Sequence, residues 1–223
     1  MAAPTLSAKA APPPDATRAG LLDAASEVFA EVGFRAATVR QICERAGANI
    51  AAVHYHFGDK EALYTEVLQR AYDRAVQKYP PDLGLTRDAT VEQRLHAFVR
   101  AFLLRIFAEG PESHHGKLMA REMIEPTGAL DRIVKDSMRP QAEALFGIVG
   151  ELLGRGASAE LCRLCGMSVV SQVLFYHHCR PVIRRMFPDM KFDAARIELL
   201  ADHITRFSLA ALTELSGGRR ARK

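Results

Sequence analysis

Large apolar side chains recur along most of the chain at three- and four-residue spacing, which is one face of an α-helix, and no sustained apolar–polar alternation marks a strand. The first such segment opens near Asp15 or Thr17. Leu21, Leu22, Ala25, Val28, Phe29 and Val32 share one face, and Gly33 stands as a C-cap. Thr38-Val39-Arg40-Gln41 has the form of a capping box and starts a second helix that stops at Gly47. Asn49 caps a very short third helix, Ile50 to Tyr55. Gly58 then breaks the chain, and Asp59 caps a long helix from Lys60 to about Lys78. Beyond Pro80-Pro81 and Gly84, the pattern predicts helices from Thr90 to Gly110, from about 115 to 124, from 130 to 153 with Pro140 inside, from 158 to 179, a short piece between Pro181 and Pro188, and a last helix from Asp193 to about Leu215. The expectation is an all-α chain. An Ala/Pro-rich disordered arm, 1–14, precedes a small helical domain, 15–64. A larger helical domain, 65–215, and a flexible basic tail, 216–223, follow.

Composition narrows the class without choosing a function. The chain has 223 residues, 48% hydrophobic and 25% charged, which is ordinary for globular domains. No apolar run is long enough for a membrane span, and the lack of an apolar h-region before Ala8–Ala10 gives the expectation of no secretory signal. Four cysteines are too few for a disulfide scaffold, so a cytoplasmic location with no membrane partner is expected. The net charge of +4 is misleading. Arg219, Arg220, Arg222 and Lys223 supply all of it, and residues 15–64 hold five Lys/Arg against seven Asp/Glu, a net of −2. A nucleic-acid argument must therefore rest on where charges sit.

The first three helices are spaced as a helix-turn-helix. Gly47 supports a sharp turn, and the small Ala46 and Ala48 let the second and third helices pack closely. The third helix carries small residues at its front and polar aromatics at its back. Ile50, Ala51 and Ala52 suit base edges in a major groove. Tyr55 and His56 suit phosphate oxygens. Lys60, at the start of the next helix, adds an ammonium there, and Thr38 and Arg40 take a similar role across the groove.

These residues resemble a known family. Phe29-Ala-Glu-Val-Gly-Phe34, Thr38-Val-Arg-Gln-Ile-Cys43, Ala46-Gly-Ala-Asn-Ile-Ala-Ala-Val-His-Tyr-His-Phe57 and Asp59-Lys-Glu-Ala-Leu63 are similar to the DNA-binding domain of TetR/AcrR-type bacterial regulators. The resemblance implies phosphate contacts at Thr38, Arg40, Tyr55, His56 and Lys60, and base-facing positions at Ile50, Ala51 and Ala52. Asn49 and His54 complete the candidate DNA-binding set. Many members have Tyr where this chain has His54, and an imidazole there can hold a phosphate or cap a carbonyl. The acids of the first helix must then be kept away from DNA.

The resemblance also implies that the larger domain binds a small-molecule effector and forms a homodimer on a palindromic double-stranded DNA operator. Leu118-Met-Ala-Arg-Glu-Met-Ile-Glu-Pro-Thr127 and Phe175-Tyr-His-His-Cys-Arg-Pro181 look like the subgroup represented by CecR. The candidate ligand-binding residues are Phe98, Phe102, Met119, Arg121, Glu122, Met123, Tyr176 and His177. Phe and Met supply an adaptable lining, and Arg121 and Glu122 orient a polar group or pair with each other. The last two long helices are candidates for the dimer interface through Leu161, Leu164, Val169, Val170, Val173 and Leu174, and through Ile197, Leu200, Ile204, Phe207 and Leu212. The same periodicity fits an ordinary core.

Other patterns lead nowhere. Cys162 and Cys165 share a helical face, but His177, His178 and Cys179 lie roughly 20 Å further along that helix, so no metal is expected. Gly154-Arg-Gly-Ala-Ser-Ala159 matches a dinucleotide fingerprint without the strand it needs, so no cofactor is expected either. His114-His115 beside Gly116 reads as a solvated loop. No nucleophile elbow or metalloprotease pattern is present, so no enzyme is expected, and the resemblance implies a ligand-responsive repressor. The alternatives are an all-α small-molecule carrier or enzyme that keeps this scaffold without a DNA function, or a protein-binding helical adaptor.

Overall fold

A computed structural model describes residues 14–107 and 113–220 of the protein, with side chains over 17–107 and 114–217. The arm through Pro13 and the basic residues Arg222 and Lys223 lie outside the described residues. All regular structure among the described residues is helical, and the chain divides into two compact units, Met1–Val67 and Leu68–Lys223.

The first unit packs α1 (Pro14–Ala36) against α2 (Val39–Ala46) and α3 (Ile50–Phe57), and contains the start of α4 (Lys60–Lys78). Leu21, Phe29, Ile42, Val53, Leu63 and Tyr64 are almost entirely buried. The Tyr64 ring lies 4.8 Å from both Phe29 and Phe34. Residues from every helix thus share one small core, which fixes α3 on its neighbours. α1 breaks at Gly33 (φ 81°, ψ 171°), and Phe34–Ala36 form a separate last turn.

The second unit is built around α5 (Val91–Phe107). This helix is buried at Leu95, Ala97, Phe98, Val99, Ala101, Leu103 and Phe107, which is nearly its whole circumference, so it can only be central. It packs against α6 (Ser113–Ile124), α8 (Arg139–Leu153), α9 (Ala159–His178) and α11 (Ala194–Arg220). Arg94–Glu151 and Arg100–Glu198 ion pairs mark its edges. The short α7 (Ala129–Ile133) and α10 (Arg180–Met186) complete the unit.

Two expectations are corrected. The helix predicted over 130–153 is instead α7, a π-helical segment Val134–Met138, and α8, with Pro140 in the first turn of α8. Pro140 donates no hydrogen bond and its ring crowds the carbonyl four residues back, at Asp136. The wider π turn accommodates both. The last helix also continues to Arg220, where a flexible tail was expected from Ser216. Each glycine there costs about 1 kcal/mol, which slows a growing helix but does not stop it. Gly217 has no positive φ that would cap it.

Candidate nucleic-acid interface and effector cavity

Local sequence alone builds the α2–α3 corner. The Thr38 hydroxyl accepts from the Gln41 N–H (3.2 Å), and the Gln41 side chain accepts from the Thr38 N–H (2.9 Å). Gly47 adopts the left-handed conformation (φ 64°, ψ 30°) that a side chain would strain, and its N–H returns to the end of α2. Asn49 Oδ1 accepts from the Ala52 N–H at 2.8 Å and starts α3. Val53 and Phe57, one turn apart, anchor α3 in the core. The same geometry turns Ile50, Ala51, His54 and Tyr55 outward. Ile50 is 49% and Tyr55 82% exposed, whereas Ala52 and His56 are half-buried on the flanks. The His54 ring lies with Nδ1 2.7 Å from the Gly58 carbonyl, so it donates from Nδ1 and caps the end of α3.

Charges on this unit are arranged rather than numerous. Arg45 meets Glu31 at 2.9 Å and Glu27 at 3.6 Å, which ties down two of the acids of α1. Arg18 pairs with Glu66. Arg40 is exposed and pairs with Glu44 one turn away, a solvent-screened contact that a phosphate can displace. Lys60 also has a structural role. Its ammonium donates to the carbonyls of Phe34 (3.0 Å) and Ala37 (3.1 Å) and lies 4.5 Å from the Phe34 ring centre, clamping α4 to the end of α1. One of its three N–H groups remains for a phosphate. Lys60→Ala is therefore expected to cost about 1–2 kcal/mol in denaturant unfolding and to lower the salt slope of DNA affinity by about one. Lost stability with an unchanged slope would leave Lys60 a structural clamp only.

The second unit contains a cavity of about 530 Å³. Each wall is a helical stripe at three- and four-residue spacing: Phe98, Phe102 and Arg105 on α5, Gly116, Met119 and Met123 on α6, Ala142 and Phe146 on α8, and Val170, Leu174 and His177 on α9. Tyr72, Met138 and Gln141 also line it. A Cβ at Gly116 would stand 3.0 Å from the Ile106 carbonyl oxygen and 3.4 Å from His177 Nε2, so only glycine lets α6 lie this close to α5 and α9.

A few polar groups face this apolar space. Gln141 donates to the Tyr72 hydroxyl at 2.6 Å. Burial raises the Tyr72 pKa, against the pull of the Arg105 charge. Arg105 is 4% exposed and stacks over Phe102, 5.7 Å from its centre. Burial brings its guanidinium down to about 10, which leaves it charged at neutral pH. His115 is 7% exposed, lies edge-on to Tyr72 at 5.2 Å, and its Nδ1 has no hydrogen-bond partner among the described residues. Burial first, then the Arg105 and His177 charges, push it down to about 4. His177 is lowered too, by burial and then by His178 and Arg180.

A pH dependence follows. The unfolded chain protonates His115 near its ordinary pKa of roughly 6.5, while the folded protein resists protonation until about 4. The stability conferred by neutral His115 is complete above the unfolded value and is lost as pH falls toward the folded one. The expected slope is up to about 1.4 kcal/mol per pH unit for each such group, read by denaturant unfolding at pH 7 and pH 5. His115→Asn should flatten it, and an unaltered slope would contradict the burial.

Of the expected ligand-binding residues, Phe98, Phe102, Met119, Met123 and His177 line the cavity. Arg121, Glu122 and Tyr176 do not. Arg121 is exposed, because the stripe of α6 that faces the cavity runs through 116, 119 and 123. Glu122 is fully buried, but its carboxylate accepts from the Thr127 N–H (2.7 Å) and hydroxyl (2.9 Å) and fixes the turn after α6. Tyr176 is one step off the stripe of α9 and packs edge-on to Phe175. Sequence reading missed Tyr72, Arg105, His115 and Gln141. Arg105 had a signal: it is the charged member of the apolar stripe begun by Phe98 and Phe102. His115, read as solvated, is buried in the first turn of α6.

Of the residues considered for a dimer interface, Val169, Val173, Ile197, Leu200, Ile204 and Leu212 belong to the unit's own core. Leu164 and Phe207 are at least half exposed, as are Phe175 and Leu199 on the same two helices. Cys162 and Cys165 form no disulfide among the described residues and pack on the core, and no group of metal-ligating side chains is placed to hold an ion among the described residues.

An exposed short helix held across a second by a left-handed glycine turn, followed by a helical unit with an internal cavity, is the build of a helix-turn-helix regulator. Similarity to known proteins carries this to a family. The family of bacterial regulatory proteins named for TetR matches residues 21–67, and the C-terminal domain of the transcriptional dual regulator CecR matches residues 91–212. The chain is 32% identical to the transcriptional activator FasR of Mycolicibacterium smegmatis over 177 residues, 76% of this chain and 77% of FasR. It is 25% identical to CecR of Shigella flexneri over 193 residues, 83% of this chain and 86% of CecR. The regulator FadR from Bacillus subtilis, solved in complex with stearoyl-CoA, shares the fold with a TM-score of 0.63 at 16% identity, covering 86% of this chain and 97% of FadR. The chain belongs to the TetR family and is a DNA-binding transcriptional regulator, not an enzyme. No helix among the described residues is long and apolar enough to cross a membrane.

Proposed function

We propose that the protein is a cytoplasmic, homodimeric repressor that occupies a palindromic operator and leaves it when a small, largely apolar effector fills the cavity of the second unit. In this reading residues 15–64 bind DNA, and residues 65–215 bind effector and dimerise. Ile50, Ala51 and Ala52 face base edges. Thr38, Arg40, Asn49, His54, Tyr55, His56 and Lys60 hold phosphates on either side. One short helix reads only a few base pairs, so two related by a twofold axis read half-sites roughly 34–36 Å apart. The exposed apolar residues of α9 and α11 are the proposed dimer contact.

The observation that carries the ligand half is the cavity itself, with its Phe, Met and Leu walls. FadR, of the same fold, holds stearoyl-CoA, a precedent for an apolar chain in such a unit. An activator is the second reading, favoured by FasR. Whatever the sign, the effector acts by binding one DNA-binding state more tightly than the other. The test is a thermal-unfolding screen of apolar compounds, followed by filter retention of genomic DNA fragments. Compounds that raise the melting temperature should release retained DNA. A stabilising compound that leaves retention unchanged contradicts the coupling.

A further inference from the structure

The cavity constrains the charge of its occupant as well as its shape. Arg105 lines it at 4% exposure, and no carboxylate among the described residues stands within ion-pairing distance. Its one hydrogen bond among the described residues is a long one, 3.5 Å to the Tyr79 carbonyl. A guanidinium withdrawn from water without a counter-ion is strongly unfavourable, and a fold keeps one only where something compensates it. His115 presents a second unmet group in the same cavity, a buried Nδ1 with no partner among the described residues. Met138, the last residue of the π segment before α8, lines the same space.

We propose that the effector carries one carboxylate on an apolar body, with the carboxylate held by the Arg105 guanidinium and by an N–H of His115 inside the cavity. This rests on reading the cavity as the effector site. Arg105 has a planar fork that matches a carboxylate with two parallel hydrogen bonds. The charge balance selects a monoanion. Burial lowers the pKa of His115 and His177 and so favours their neutral forms, and of the Arg, Lys, Asp and Glu side chains among the described residues only Arg105 lines the cavity. A phosphate monoester would leave a charge over, an amine would repel Arg105, and a neutral compound would leave it uncompensated. A polyphosphate head would instead suit the surface around Arg184 and Arg185, outside the cavity.

The test is calorimetric titration of the whole protein with octanoate, dodecanoate and cholate, each against its primary amide. At least one acid should bind about tenfold or more tighter than its amide, the worth of a charge-assisted pair. Arg105→Met should abolish that preference without lowering the melting temperature of the free protein, since it removes a buried charge that has no carboxylate partner among the described residues. Should that variant not fold, Arg105→Lys decides: it should keep the preference with weaker binding. An Arg184→Ala/Arg185→Ala double variant should bind the acid as the wild type does. Equal binding of acid and amide overturns the proposal and leaves the cavity an effector site. So does a preference that survives Arg105→Met or disappears in the double variant. If neither acids nor amides bind, the proposal and the apolar-effector reading fall together.

Discussion

An Ala51→Glu protein is expected to fold as the wild type does and to lose operator affinity by about a hundredfold or more, roughly 2.7 kcal/mol. Position 51 is exposed in the first turn of α3, where nothing packs against it in the first unit's core. Glutamate is a good helix former, and a carboxylate near a helix N-terminus is favourable, so the folded state has no reason to suffer. In the complex the same carboxylate would enter a groove walled by phosphates, where alanine meets a base edge. Operator titration by fluorescence anisotropy, beside unfolding by circular dichroism, separates the two effects. Unchanged affinity would place α3 outside the groove.

Filling the cavity should have the second large effect. Ala142 lines it from α8 and is half-buried, so a phenyl ring at this position projects into open space rather than into packed core. Ala142→Phe should leave the melting temperature unchanged or raised, since cavity-filling substitutions often stabilise. A compound at a hundred times its Kd stabilises the wild type by about 2.7 kcal/mol. In Ala142→Phe that stabilisation should nearly vanish for every cavity ligand, and DNA release by those compounds should vanish with it. A variant that still responds would move the effector site elsewhere.

The sequence made the α2–α3 corner legible because its determinants are local. A capping box, an Asn N-cap and a left-handed glycine act within a few residues, and each stands where the spacing placed it. The cavity was legible only in part. Periodicity identifies the stripes of α5, α6 and α9 but not which stripe meets a void and which meets another helix. Arg121 and Glu122 follow Met119 in sequence yet point elsewhere, whereas Arg105, His115 and Tyr72 converge from three separate helices. The apolar residues of α9 and α11 were legible only in part for a related reason: Val169 and Ile204 are as apolar as Leu164 and Phe207, and only packing distinguishes buried from exposed. Lys60 has a structural engagement that residue type alone does not reveal. Its position matched a phosphate contact, but the nearest acceptors are the carbonyls that end α1.

The most direct test of the account is selection and sequencing of genomic DNA fragments bound by the effector-free protein at two salt concentrations. The account requires enrichment of a short palindrome, with affinity that falls as salt rises because phosphates are neutralised on binding. Salt-sensitive binding without sequence preference would contradict a groove-reading α3, and no enrichment by folded protein would contradict the assignment of α2 and α3 as the operator-binding surface.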